Sequence, residues 1–151
     1  MSTRNNSSAS SNPEVLLAHI LDTAAGLERE MDRALSFTRG ITFREYRLVS
    51  VLADAGSKGL PRIDLANAVG LTASAVTRAL RPMEKLGYVE TVRGQRDARQ
   101  SLAKITKGGA ELLSDAQQIL HDQLAGLPLE DIGEARLDIF VEVLDLLQAR
   151  R

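Results

Sequence analysis

The stretch from Leu71 to Ile105, LTASAVTRALRPMEKLGYVETVRGQRDARQSLAKI, constrains the fold more than any other part of the chain. It reads as one helix followed by a two-stranded ribbon with a basic tip. Thr72 stands where a hydroxyl can accept from an unpaired N–H of the first helical turn. At about 100° per residue, Val76, Leu80 and Met83 share one face, and Ser74, Arg78, Arg81 and Lys85 share the opposite one. Pro82 removes an N–H and predicts a kink after the first two turns, which reads as a tolerated bend near the helix end rather than as a divide between an outward-facing half and a half anchored by Met83 and Leu86. Gly87 closes the helix, because glycine accepts the left-handed conformation that ends many helices. Tyr88 to Arg93 reads as a strand, Gly94 to Ala98 as a turn carrying Arg96, and Arg99 to Ile105 as the return strand. A helix with one cationic face beside a basic hairpin suits a polyanion. Double-stranded DNA fits best, since a helix fits the major groove and a ribbon can track the neighbouring backbone. Taken alone, the helix is equally consistent with a solvated cationic face.

The segment before it, Leu60 to Gly70 (LPRIDLANAVG), narrows the choice. Pro61 suits a first helical turn, where its missing N–H costs nothing. Ile63, Ala66 and Val69 repeat at helical spacing with Leu65 beside them, and Gly70 breaks the pattern. Two short helices joined by a tight Gly-containing turn form a helix-turn-helix with the second helix as reader. Such patterns also occur in helical proteins that bind no nucleic acid, so the basic hairpin is the discriminating addition.

The order LANAVGLTASAVTRALRPMEKLGYVE, then RGQRDARQSLAKITKGG, resembles the winged helix-turn-helix of MarR-type transcriptional regulators. The run "LA…(V/L)…(S/T)xxTR…LE…G(L/Y)V" matches, as does an Asp-x-Arg in the wing before "(L/I)TxxG". Upstream, ITFREYRLVSVLADAG is similar to the family's "LTxx(Q/E)(F/W/Y)xxLxxL" helix. The resemblance covers roughly Ile41 to Gly109. The family's wing often reads Asp-Arg-Arg, whereas this chain has Asp97-Ala98-Arg99, with Arg96 available as a substitute. The resemblance implies a dimer formed through N- and C-terminal helices. It also implies a small, often aromatic or phenolic, anionic effector held between those helices and the winged helix. By position on the first two helices, Leu16, His19, Ile20, Tyr46 and Arg47 are the effector candidates.

Charge divides sharply along the chain. Residues 72–107 hold 8 Lys/Arg against 3 Asp/Glu, whereas residues 108–151 hold 3 against 9. The formal total of −1 therefore hides a localised anion-binding face on a slightly acidic protein. Zero cysteines exclude disulfides, thiolate metal sites and thiol redox sensing. His19 and His121 are too few for an ordinary zinc cluster and read as plain helix residues. No P-loop, GxSxG or HExxH motif is present. Gly108-Gly109 reads as flexibility at a helix start rather than a phosphate-binding turn. Asp64 and Asp97 read as capping and bracing residues rather than an acid pair. No catalysis, cofactor or metal is expected.

The remaining segments supply the frame. Residues 1–12 are Ser/Asn-rich and predict a disordered tail. No signal peptide or apolar span of about 18 residues is seen, which predicts a cytoplasmic protein without membrane association. Residues 13–38 predict a long helix with Leu17, Ile20 or Leu21, Ala24, Leu27, Met31 and Leu35 on one side and Asp32 among the charges opposite. Thr42 and Glu45 have capping-box spacing. Thr106 precedes a helix reaching about Leu127, and Leu129 to Arg151 supplies a last helix with Ile139, Phe140, Val143, Leu144 and Leu147 on one face.

The expected fold is mainly α with a small β-hairpin wing: a winged helix-turn-helix over 40–107, flanked by dimerisation helices at 13–38 and 108–151. The expected function is sequence-specific DNA binding by a dimeric transcriptional repressor, on a pseudo-palindromic operator, released by a small effector. Ser74, Thr77 and Arg78 would reach base edges from the first turns of the reader helix, and Arg81 and Lys85 would contact phosphates. Arg93, Arg96 and Arg99 would serve the wing, with Asp97 orienting an arginine. Two alternatives stay open: a winged helix regulated by a protein partner without an effector, and a helical interaction module that binds no DNA.

Overall fold

The computed structural model describes residues 12–94, 101–127 and 131–149. Element α1 spans Pro13–Arg39, α2 Phe43–Ala55, β1 Leu60–Pro61, α3 Arg62–Val69 and α4 Ala73–Lys85. Strands β2 Val89–Arg93 and β3 Ser101–Ile105 follow, then α5 Lys107–Leu124 and α6 Glu134–Gln148. The chain divides into two compact units, one ending at Leu120 and the other beginning at His121, within α5.

Local chemistry sets most of the helix ends. The Asn12 side chain accepts from Glu14 N at 2.9 Å ahead of α1, whose first residue is Pro13. Helix α2 carries the complete capping box: Glu45 N donates to Thr42 Oγ1 at 3.2 Å, and Thr42 N donates to Glu45 Oε2 at 2.8 Å. Phe43 N, the next free donor, is taken by Asp32 Oδ1 at 2.6 Å. Asp32 is therefore half-buried and ties α1 to α2, rather than standing in solvent with its charged neighbours.

Three strands form the sheet, in the order β1-β3-β2 and antiparallel throughout. In register, Val89 faces Ile105 and Arg93 faces Ser101 across the hairpin, while Leu60 and Pro61 pair with Ala103 and Leu102. The hairpin thus gains a third strand. Pro61 lies in that strand and precedes α3, outside the first helical turn in which its sequence would place it. Leu60 and Pro61 are too few to show a strand period, and proline is tolerated at such a sheet edge.

Two apolar clusters fill the first unit. The larger draws Leu48 and Leu52 from α2, Leu65 from α3, Leu80 and Met83 from α4, and Val89 from β2. The smaller joins Met31 and Leu35 of α1 to Ile41 and to Leu112, Ala116 and Leu120 of α5. Tyr46 and Tyr88 pack against both clusters. Ile63 is 56% exposed, because the buried face of the short α3 is set by Leu65, Ala66 and Val69. Leu86 is 65% exposed beyond the last turn of α4, so Met83 is the apolar side chain that anchors that end.

The joint between the sheet and α5 is a close backbone approach. Thr106 N donates to Tyr88 O at 3.1 Å, and Gly109 N donates to Thr106 Oγ1 at 3.1 Å. A Cβ at Gly109 would overlap the Tyr88 carbonyl oxygen and lie 2.9 Å from Ile105 Cγ1, whereas one at Gly108 would come no nearer than 3.5 Å, to Gly87 O. Gly109 is buried and required by packing, which overturns its reading as mere flexibility.

Candidate nucleic-acid interface

Helix α4 is fixed at both ends before any side chain reaches outward. Gly70, at φ +70°, turns the chain out of α3, with Leu71 N bonded to Ala66 O at 2.9 Å. Thr72 Oγ1 then accepts from Ala75 N at 3.1 Å, as its N-cap position predicts. At the far end Gly87 adopts φ +77°; Gly87 N bonds Glu84 O at 3.1 Å and Tyr88 N bonds Met83 O at 2.9 Å. That pair of bonds is a Schellman closure, which satisfies carbonyls the last turn would leave free.

With its ends held, the helix buries one face completely. Val76 and Leu80 are 0% exposed and Met83 1%. At 100° per residue this fixes the other face outward, and Ser74, Arg78, Arg81 and Lys85 are all exposed. Thr77 is half-buried at the boundary, and its hydroxyl donates to Ala73 O at 2.9 Å, leaving its oxygen free to accept. Arg93 is exposed at the end of β2, opposite Ser101. The structure therefore brings Ser74, Arg78, Arg81 and Lys85 onto one exposed face. Arg96, Asp97 and Arg99 lie outside the described residues.

A second group of side chains, which no local spacing in the sequence reveals, holds α4 to the sheet. Arg62, the first residue of α3, donates from Nη2 to Glu84 Oε1 of α4 at 3.1 Å and to Thr91 Oγ1 of β2 at 3.0 Å. Its Nη1 donates to Ser101 Oγ of β3 at 3.0 Å. Thr91 Oγ1 also donates to Glu84. Arg62 and Glu84 are 22 residues apart, and no local spacing connects them.

The effector candidates are not gathered in the same way. Leu16 and His19 are exposed and Ile20 is half-buried on α1. Tyr46 is half-buried and stacks on Phe43, with ring centroids 5.7 Å apart. Arg47 Nη1 donates to Val69 O at 3.4 Å, at the end of α3. Among the described residues, no bond or core cluster joins the three α1 positions to Tyr46 or Arg47. The polar links from α1 to α2 run through Glu28, paired with Arg44 at 3.8 Å, and through Asp32, about 12 and 18 Å along the helix axis from Ile20 at 1.5 Å per residue. A cavity of about 330 Å³ lies elsewhere, lined by Thr38, Arg39, Tyr88, Gly108, Glu111, Leu112 and Asp115. It is crossed by the ion pair of Arg39 with Asp115 at 2.6 Å.

The class these elements define is the winged helix-turn-helix. Residues 39–100 match the family model described as the MarR family. The fold is shared with solved structures of that family. One is Sco3205, a MarR family transcriptional regulator from Streptomyces coelicolor in complex with DNA (TM-score 0.82, 22% identity, covering 89% of this chain and 84% of that one). Another is a MarR/EmrR family transcriptional regulator from Acinetobacter sp. ADP1 (TM-score 0.78, 26% identity, 89% and 93%). A third is CouR from Rhodococcus jostii RHA1 bound to p-coumaroyl-CoA (TM-score 0.75, 23% identity, 93% and 94%). Comparison with curated proteins gave no match.

Proposed function

We propose that this protein is a sequence-specific DNA-binding transcriptional repressor that works as a homodimer on a pseudo-palindromic operator. The observation that carries the proposal is α4: a helix capped at both ends, buried along one face, with a hydroxyl and three cations along the other. Ser74, Thr77 and Arg78 are assigned to base edges, because the first turns of a reader helix reach deepest into the major groove. Arg81 and Lys85 are assigned to phosphates, and Arg93, Arg96 and Arg99 to the wing, with Asp97 as the brace of an arginine. That a regulator of the same fold is solved in complex with DNA supports the DNA-binding reading.

A small effector, aromatic or phenolic, would relieve repression by favouring one arrangement of the two reader helices over another. The relative bound to p-coumaroyl-CoA supports a ligand of that kind. Leu16, His19, Ile20, Tyr46 and Arg47 are proposed to line its pocket once two copies are joined. Among the described residues no helix is long and apolar enough to cross a membrane. The proposed role places the protein in the cytoplasm and assigns it no catalytic step.

Salt-dependent binding to the protein's own upstream DNA, against a scrambled duplex, tests the reading. Tight, salt-sensitive preference for the upstream fragment is expected. Absence of binding at low salt would overturn it. Arg78→Ala should cost about 1–3 kcal/mol on the operator and relax specificity at one base pair. Lys85→Ala should weaken operator and scrambled duplex alike and reduce the salt slope by about one. Titration of both variants across base-substituted operators checks the distinction, and an Arg78→Ala protein with unchanged specificity would refute the docking.

A further inference from the structure

We infer that Arg62 is a positioning residue that locks the reader helix to the wing, so that both engage DNA in one fixed relation. The inference rests on the proposed DNA-binding role of α4 and the hairpin. One guanidinium joins four elements: it begins α3, bonds Glu84 of α4 and Thr91 of β2 through Nη2, and bonds Ser101 of β3 through Nη1. Ser101 pairs with Arg93, so the lock acts at the last described pair of the two strands. Glu84 adjoins Lys85 on α4.

The side chains of Arg62 and Glu84 are 23% and 31% exposed, so the pair is part-buried and also serves stability, which the test must separate from positioning. The Nε of Arg62 is buried without a hydrogen-bond partner, so the guanidinium is held by what its two Nη atoms reach. What the fork supplies is geometry. A planar guanidinium can hold three oxygens in fixed directions, and a lysine ammonium on a flexible stem cannot do so in the same way. DNA recognition by a helix and a ribbon together depends on that geometry, because a small misplacement of either loses contacts of the other.

Arg62 also carries a charge, and a phosphate contact would be the competing role. Arg62→Lys separates the two, since it keeps the charge and loses the fork. The test measures wild type, Arg62→Lys and Arg62→Met on the upstream fragment and on a scrambled duplex, across a salt series. Arg62→Lys should bind the scrambled duplex as wild type does and bind the operator about tenfold more weakly, the size of one lost specific contact. Wild-type operator affinity in Arg62→Lys would overturn the inference and leave Arg62 as a point charge. Equal losses on both duplexes in both variants would overturn it too.

Ser101→Ala guards against a folding defect, because Ser101 is exposed and the Arg62 pair with Glu84 stays in place. It should weaken operator binding several-fold, and unchanged binding would count against the lock. If wild type binds neither duplex, the DNA-binding reading falls. The lock is then judged by amide hydrogen exchange in Arg62→Lys, where faster exchange over Val89–Arg93 and Ser101–Ile105 supports it and wild-type exchange overturns it.

Discussion

Gly109→Ala is expected to destabilise the protein by about 3 kcal/mol or more, the upper end of the range for an added methyl in a packed interior. The new Cβ would occupy the space of the Tyr88 carbonyl oxygen and press on Ile105 Cγ1 at 2.9 Å and Tyr88 C at 3.0 Å. Two of those three neighbours are backbone atoms, so no rotamer change relieves the overlap. The first turn of α5 would have to move away from Tyr88, and the bond from Thr106 N to Tyr88 O would stretch or break. Tyr88 packs against both apolar clusters, so its displacement disturbs each of them. At about 2–4 °C per kcal/mol for a chain of this size, the thermal midpoint should fall by about 6–12 °C. Protein concentration must be held fixed, because association shifts the midpoint. Gly108→Ala is the matched control. Its Cβ would sit 3.5 Å from Gly87 O, an ordinary contact, and alanine is about 1 kcal/mol better than glycine inside a helix. It should melt at or slightly above the wild-type temperature. Equal midpoints for the two variants would refute the close approach of α5 to Tyr88.

The same pair of glycines marks a limit of reading the chain without its structure. Two adjacent identical residues differ entirely in consequence, and the difference comes from a carbonyl two elements away. What the sequence does carry is periodic or local. The burial of Val76, Leu80 and Met83 follows from their spacing, and with it the outward face of α4, because a helix has only one way to orient such a set. The Thr42–Glu45 capping box spans four residues and is formed as expected. Strand β1 has two residues and no period of its own, so only its pairing with β3 reveals it. Ile63 fitted the helical repeat of α3 but lies on its solvent side, since three neighbouring residues already fill the buried face of eight. For the interface, the α4 residues were legible by periodicity, whereas Arg62 was not, because its partners come from three other elements.

Replacing Phe140 and Leu147 together with glutamate is expected to break the proposed homodimer and reduce binding to the proposed operator to the level of a single half-site. No residue of α6 is buried in the single chain; Ile139, Phe140, Leu146 and Leu147 are each at least 50% exposed. At 100° per residue these side chains lie away from Glu134, Asp138, Glu142 and Asp145, so the helix has an apolar face and an acidic face. Leu16, Leu17 and Leu21 repeat the pattern on α1, at 49%, 55% and 60% exposure. So many exposed large side chains exceed the scattered ones normal on a monomer and call for a partner surface. A second copy is the economical partner in the proposed mechanism, since a two-fold contact spaces two reader helices for a pseudo-palindrome. Each large apolar side chain withdrawn from water contributes about 1.5–3 kcal/mol. The double variant loses four such side chains from a two-fold dimer, each already about half withdrawn in the single chain, which costs about 3–6 kcal/mol, or about 10²–10⁴-fold in the dimer Kd. Sedimentation equilibrium should show monomer where wild type shows dimer. The larger winged-helix cluster takes its residues from positions 48–113, so the variant should still fold and bind a half-site duplex as wild type does. Its loss should appear only on the full operator, where the two half-sites no longer act together. A variant that remains a dimer would remove α6 from the interface, and a monomer with full operator affinity would remove the dimer from the mechanism.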